Sequence, residues 1–361
     1  MVLAKWLGLA LILLFSNVLC SAERPPLYQA EVSAEQTQQQ WQREALQQVL
    51  MRVTGRPDIM QQAELRSELA NAASYVKQFE AIRTEQGNKV RVVLDSQRIQ
   101  QLLKTYQIPV WGGQRPEILF WIVEQQQLQR NFVRRADSVW LTSLSSALQQ
   151  QALPFTLPLY DIDDLMLLTE TDVWAGFWQQ IDAASARYQA DEVVVLLLET
   201  TNDNPELPWR LTALRQQEGR VLRNEYQAVS ETELMQQYAA SLGQELAQQF
   251  AILLNPAAEQ HVVLQVGGMQ SLAEVVSVER NLASLLGVSK VQIVQQSAQF
   301  TRFQLTIQMS TEQLLQSLQF EPTIQKIDTL EPSFGAYPGV PMLQTDPNPS
   351  DVLAVFQFVR R

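Results

Sequence analysis

The sequence predicts a multidomain protein of mixed α+β and α/β class. The expected parts are a small α+β unit, a central α/β sheet domain with an antiparallel extension, a ferredoxin-like split βαβ unit and a tail. Three observations predict this. Stretches of period-two alternation or short continuous apolar runs take turns with stretches of helical periodicity. The loop Ile108–Pro116 holds two prolines and two adjacent glycines, which bar helix and central strand alike. From Glu321 onward, Pro322, Pro332, Pro338, Pro341, Pro347 and Pro349 interrupt every regular pattern.

The first unit spans 25–110. Leu27–Val32 alternates as a half-buried strand. Thr37 caps a helix through Thr54 whose apolar positions Trp41, Ala45, Leu46, Val49, Leu50 and Val53 share one face; Gly55 ends it and Pro57 forbids its continuation. A second helix is expected over Ile59–Ala73, then strands Tyr75–Thr84 and Lys89–Leu94 around a Gly87-Asn88 turn. Asp95 or Ser96 caps a last helix to Tyr106.

The second unit spans 117–256. Ile118–Val123 and Val193–Leu198 are continuously apolar, as strands covered on both faces are. Between them lie an expected helix Ser138–Gln151, a short strand Pro154–Leu159 and a helix Asp172–Tyr188. That alternation implies parallel crossovers. Trp209–Arg215 and Arg220–Val229 read as an antiparallel pair, and Thr232 as the cap of a long helix to Leu254.

The third unit spans 261–320. Its order is strand His261–Val266, helix Leu272–Leu286, strands Val291–Gln295 and Phe300–Met309, and a helix capped by Thr311. Residues 321–361 read as a mostly disordered tail. Its apolar end, Val352–Val359, is suited to adding a strand to a sheet edge in this molecule or another.

Composition narrows function. The 361 residues carry a net charge of -11, which repels nucleic-acid phosphates. One Cys and one His leave little room for thiol catalysis, zinc, haem, iron–sulfur clusters or a histidine triad. The many glutamines, such as Gln36, Gln38–Gln40 and Gln47-Gln48, serve as neutral helix formers.

Residues 1–22 have the order of a secretory signal peptide: Lys5, an apolar Trp6–Phe15 core, and small residues Cys20 and Ala22 before Glu23. Cleavage after Ala22 places the protein in the periplasm without a cysteine or a membrane span. The alternatives are a lipoprotein anchored at Cys20, which bulky Leu19 disfavours, and an uncleaved anchor, for which the apolar run is short.

Several motifs occur together behind that leader. They are Arg43-Glu44-Ala45, Leu50–Gly55, Ile108–Gly112 with Arg115-Pro116, Pro158–Asp161 with Asp164, Asp172–Phe177, and Arg187-Tyr188. In this order they resemble the domain-of-unknown-function 2066 family of secreted gammaproteobacterial proteins, over roughly Leu27 to Phe320. The resemblance implies a Gram-negative envelope protein and no particular activity. A looser topological likeness is to envelope proteins of the TolB amino-terminal and FlgT type, which implies assembly or scaffolding.

Few residues offer chemistry. Asp161, Asp163 and Asp164, with Glu170 and Asp172 nearby, form the densest acidic cluster. It reads as a helix cap by Asp163 or Asp164, or else as a ligand rim, calcium site or hydrolytic carboxylate pair. The calcium reading lacks the glycine turn and the alternating aspartate register. Trp111 and Arg115, in the Gly/Pro loop, read as an interdomain latch or a partner-binding site. The other tryptophans of the second unit read as core. His261 has no catalytic partner in sequence, and Gly267-Gly268 lacks nucleotide-loop spacing. No catalytic, cofactor-binding or metal-binding residue is assigned. The expected function is a non-enzymatic periplasmic interaction or assembly protein with envelope protein partners. The alternative is a small-ligand binder or carboxylate-dependent hydrolase using the Asp161–Asp164 rim.

Overall fold

The computed structural model describes residues 26–84, 87–201, 204–217, 219–255, 259–327 and 352–360. The leader 1–22 with Cys20, and the proline-rich stretch 328–351, lie outside the described residues.

The first unit contains β1 (Gln29–Ser33), α1 (Gln38–Thr54), α2 (Ala63–Glu68), β2 (Val76–Thr84), β3 (Gly87–Leu94) and α3 (Ser96–Thr105). The strands form an antiparallel sheet in the order β1-β3-β2. Thr37 and Gln40 make a capping box at the start of α1, and Gly55, in the left-handed region at φ 62°, closes its end. The helix expected over Ile59–Ala73 is instead two 3-10 turns around α2. Its buried positions Ile59, Leu65 and Ala72 stand more than a turn apart, so no continuous apolar stripe holds one helix together.

The central unit contains β4 (Ile118–Gln126), β5 (Gln129–Phe132), α4 (Val139–Gln150), β6 (Phe155–Thr156), α5 (Ile162–Leu167), α6 (Glu170–Ala175), α7 (Trp178–Ser185), β7 (Glu192–Thr200), β8 (Trp209–Gln217), β9 (Arg220–Ala228) and α8 (Glu231–Phe250). Its sheet runs β5-β4-β7-β8-β9, with β6 also paired to β4. β4 is parallel to β6 and β7, and the β7-β8-β9 extension is antiparallel.

Period-two alternation sends Ile118, Phe120 and Ile122 to one face and Leu119, Trp121 and Val123 to the other. Helices α4 and α8 cover the first face; α6 and α7 cover the second. The single helix expected over Asp172–Tyr188 is broken at Gly176, whose φ of 69° ends α6. Ser230 caps α8, two residues before the expected Thr232, and the hairpin strand β5 is an addition to the sequence reading.

The third unit contains β10 (Gln260–Gly267), α9 (Leu272–Ser284), β11 (Val288–Gln296), β12 (Phe300–Ile307), α10 (Thr311–Gln319), β13 (Ile324–Lys326) and β14 (Val352–Phe358). The sheet order is β11-β12-β10-β14-β13. Without β14 this is the order of a ferredoxin-like βαββαβ unit, with β13 as its last strand. β14 inserts between β10 and β13, parallel to the first and antiparallel to the second.

The apolar end of the expected tail thus pairs within this molecule, between two strands rather than at an edge, and Ile324–Lys326 is a strand beyond the expected end of the unit at 320. Pro322 precedes β13 without entering it, and Ala354 and Phe356 are buried in the core. The first and third units, far apart in sequence, share one continuous apolar core. An antiparallel bridge between Val110 and Ile252 ties the ends of that core together.

Candidate functional site

The two places where sequence concentrates unusual residues are the Val110–Pro116 loop and the Asp161–Asp164 cluster.

The loop lies where α1, α4 and α8 meet. A helix leaves its last four carbonyls without intrahelical donors, and its C-terminus attracts positive charge. Here two helices end side by side, and two arginines serve both. Arg115 Nη2 donates to the Arg52 carbonyl at 2.8 Å, its Nε to the Gly112 carbonyl at 3.0 Å, and its Nη1 to the Gln151 carbonyl. Arg52 Nε donates to the Gln150 carbonyl at 2.7 Å, and its Nη1 to the carbonyls of Pro26 and Gln29. The Trp111 amide donates to the Val53 carbonyl at 2.6 Å. The orphan carbonyls at the ends of α1 and α4 are thus paired across the boundary between units.

Arg115 is 3% exposed and Arg52 is 7%. Burial pulls the Arg115 guanidinium down to about 9 and that of Arg52 down to about 10, so both stay protonated at neutral pH. Trp111 is 1% exposed and belongs to the α4/α8 core. The Arg115 guanidinium lies 3.9 Å from its ring centroid. The indole Nε1 is buried without a hydrogen-bond partner. At Gly55 a Cβ would stand 2.0 Å from the Cβ of Ala247, so only glycine lets the end of α1 rest on α8.

The acidic cluster is likewise occupied by the fold. Asp161, rather than Asp163 or Asp164, caps α5 by accepting from the Asp164 amide at 3.1 Å. Asp164 is completely buried and does not line a rim. It accepts from the Tyr160 amide at 2.8 Å, the Tyr188 hydroxyl at 2.5 Å and Arg187 Nη1 at 3.3 Å. The Tyr188 oxygen accepts in turn from the Leu159 amide. Arg187 also bonds Asp161 at 2.8 Å and lies 3.9 Å from Asp163, which is largely exposed.

The hydrogen bond from Arg187 holds the Asp161 carboxyl below the usual aspartate range, whereas desolvation raises the Tyr188 hydroxyl. The contribution of Asp161 is therefore present above the ordinary aspartate pKa. It is lost as pH falls through the lowered folded value. No cluster of three or more metal-ligating side chains occurs among the described residues. Millimolar calcium should therefore leave the melting temperature unchanged; a rise of several degrees in a calorimetric scan would reveal a site this geometry does not contain.

The remaining candidates are dispersed. His261 is exposed on β10, its Nδ1 3.1 Å from the Thr306 hydroxyl. Trp121 is buried and donates to the Ser185 hydroxyl, and Trp174 lies under Arg130. A cleft of about 170 Å³ beside α3 is lined by Gln97, Gln100, Gln101, Lys104 and Gln308, mostly neutral amides. Sequence reasoning does not single out Arg52, Arg187 or Tyr188. Each stands inside one of the sequence motifs set out above, Arg52 in Leu50–Gly55 and the other two as Arg187-Tyr188.

The family described as a domain of unknown function, DUF8605, matches residues 22–112. That stretch is the first unit plus the opening of the latch loop. No curated protein matches the chain.

Proposed function

We propose that this chain is a non-enzymatic interaction or assembly protein of a Gram-negative envelope, delivered to the periplasm by residues 1–22. One observation carries the non-enzymatic reading. The polar groups best suited to chemistry or recognition by their sequence are consumed in structural bonds: Asp164 has no accessible surface, and Arg115 spends its donors on backbone carbonyls. Asp161 and Asp163 keep exposed surface, but both face the Arg187 guanidinium, at 2.8 Å and 3.9 Å, rather than a second carboxylate across a cleft. The order of sequence motifs that resembles the domain-of-unknown-function 2066 family supports the envelope address, as does the leader.

Two measurements test this. Mass spectrometry of the protein recovered from its own cells should find a free N-terminus at Glu23; a diacylglyceryl group on Cys20 would move it to a membrane leaflet. Chemical crosslinking in those cells should join a tagged chain to defined envelope proteins. A chain that crosslinks to nothing would sink the interaction role.

A further inference from the structure

Helix α5 is built inside out. In an ordinary surface helix the apolar side chains face the core and the charged ones face water. Here the residue buried beneath the helix is Asp164, held by Tyr160, Arg187 and Tyr188. The large apolar side chains point away. Ile162 is 75% exposed and Met166 81%, and Leu159, Leu165 and Leu167 are exposed beside them. Five large apolar residues within nine positions of one segment are all exposed, a local concentration of exposed apolar surface of the kind that marks an interaction site. The segment Asp161–Asp172 also carries five carboxyls and no Lys or Arg. Asp163 stands exposed in the middle of the patch, and Arg187 is the cation bonded to this cluster from outside the segment.

We infer that α5 and the turn before it are the docking surface for a partner polypeptide that presents an apolar face flanked by Lys or Arg. The charge selects this occupant. A second copy would set Asp163 and its neighbours against like charge, in a chain whose net charge is already -11. An anionic lipid surface is repelled for the same reason. A basic amphipathic segment satisfies both features at once: its apolar stripe covers Ile162 and Met166, and its cations meet Asp163 and Glu170. The inference rests on the proposed interaction role and adds to it the surface and the chemistry of the partner.

The test uses the purified protein and two synthetic helical peptides of about 18 residues, about five turns. One is built of Leu and Lys, the other of Leu and Glu, and binding is read by fluorescence anisotropy. The Leu/Lys peptide should bind, and the Leu/Glu peptide should not. The double variant I162S/M166S should weaken binding at least about tenfold with an unchanged melting curve, because neither side chain is packed. Asp163→Asn should weaken it by a smaller factor and flatten its salt dependence.

Equal binding of both peptides overturns the inference, as does wild-type affinity in the double variant. So does a wild-type dimer that the double variant abolishes, or vesicle binding that it abolishes, since a second copy or lipid would then be the occupant. Cellular crosslinking separates the two levels. Partners captured equally by wild type and I162S/M166S sink this surface and leave the interaction role standing. No partner captured by either sinks the role itself.

Discussion

Trp111→Ala should lower the free energy of unfolding by about 3–5 kcal/mol, measured by denaturant titration. The ring is buried in the α4/α8 core, so its removal forfeits apolar burial and leaves a cavity. It also strips the stacking surface from Arg115, whose guanidinium lies 3.9 Å above it. Trp111→Phe should cost much less. Phenylalanine keeps most of the apolar contact and removes an indole N–H that is buried without an acceptor. The gap between the two variants separates a packing role from a recognition role. A partner hot spot would leave the alanine variant within about 0.5 kcal/mol of wild type.

The second large effect is expected at Asp164. Asp164→Ala should cost about 2–4 kcal/mol, because it strands the Tyr160 amide and the Tyr188 hydroxyl and removes one acceptor of Arg187. The neighbouring Asp163→Ala should stay within about 0.5 kcal/mol, since that side chain is largely exposed and its ion pair to Arg187 is long, at 3.9 Å. Equal effects at the two positions would mean that the cluster is a solvated acidic face rather than a buried anchor. Thermal melts of the two variants side by side make the comparison.

These two sites also show how far the sequence could be read. The strands Ile118–Val123 and Val193–Leu198 were legible because a strand covered on both faces must be apolar at every position. Helix α1 was legible because its apolar period, Gly55 and Pro57 all agree. The latch was legible in outline: a large ring in a Gly/Pro loop needs somewhere to go.

Arg52 was not legible, because a helical arginine carries no mark that its carbonyl partners arrive from another unit. The inverted helix was hidden for a similar reason. Leu165–Leu168 after three aspartates reads as a capped helix with an apolar inner face. Only the bonds from Tyr160, Arg187 and Tyr188 turn Asp164 inward and leave Leu165 and Leu167 outward, while Leu168 alone of that run enters the core. The strand β14 was missed as an insertion because strand order depends on contacts across the 328–351 stretch, which local periodicity does not encode.

The chain is proposed to act through protein contacts, while Trp111 and the buried carboxyl of Asp164 serve the fold. The most direct test of that role is crosslinked capture of envelope proteins in the producing cells, scored per folded molecule, for wild type and Trp111→Phe. Defined partner proteins should be recovered, in equal yield per folded molecule from both. Recovery of no partner protein would contradict the proposal. So would a Trp111→Phe protein that melts like wild type yet has lost its partners, which would make the buried loop itself the recognition site.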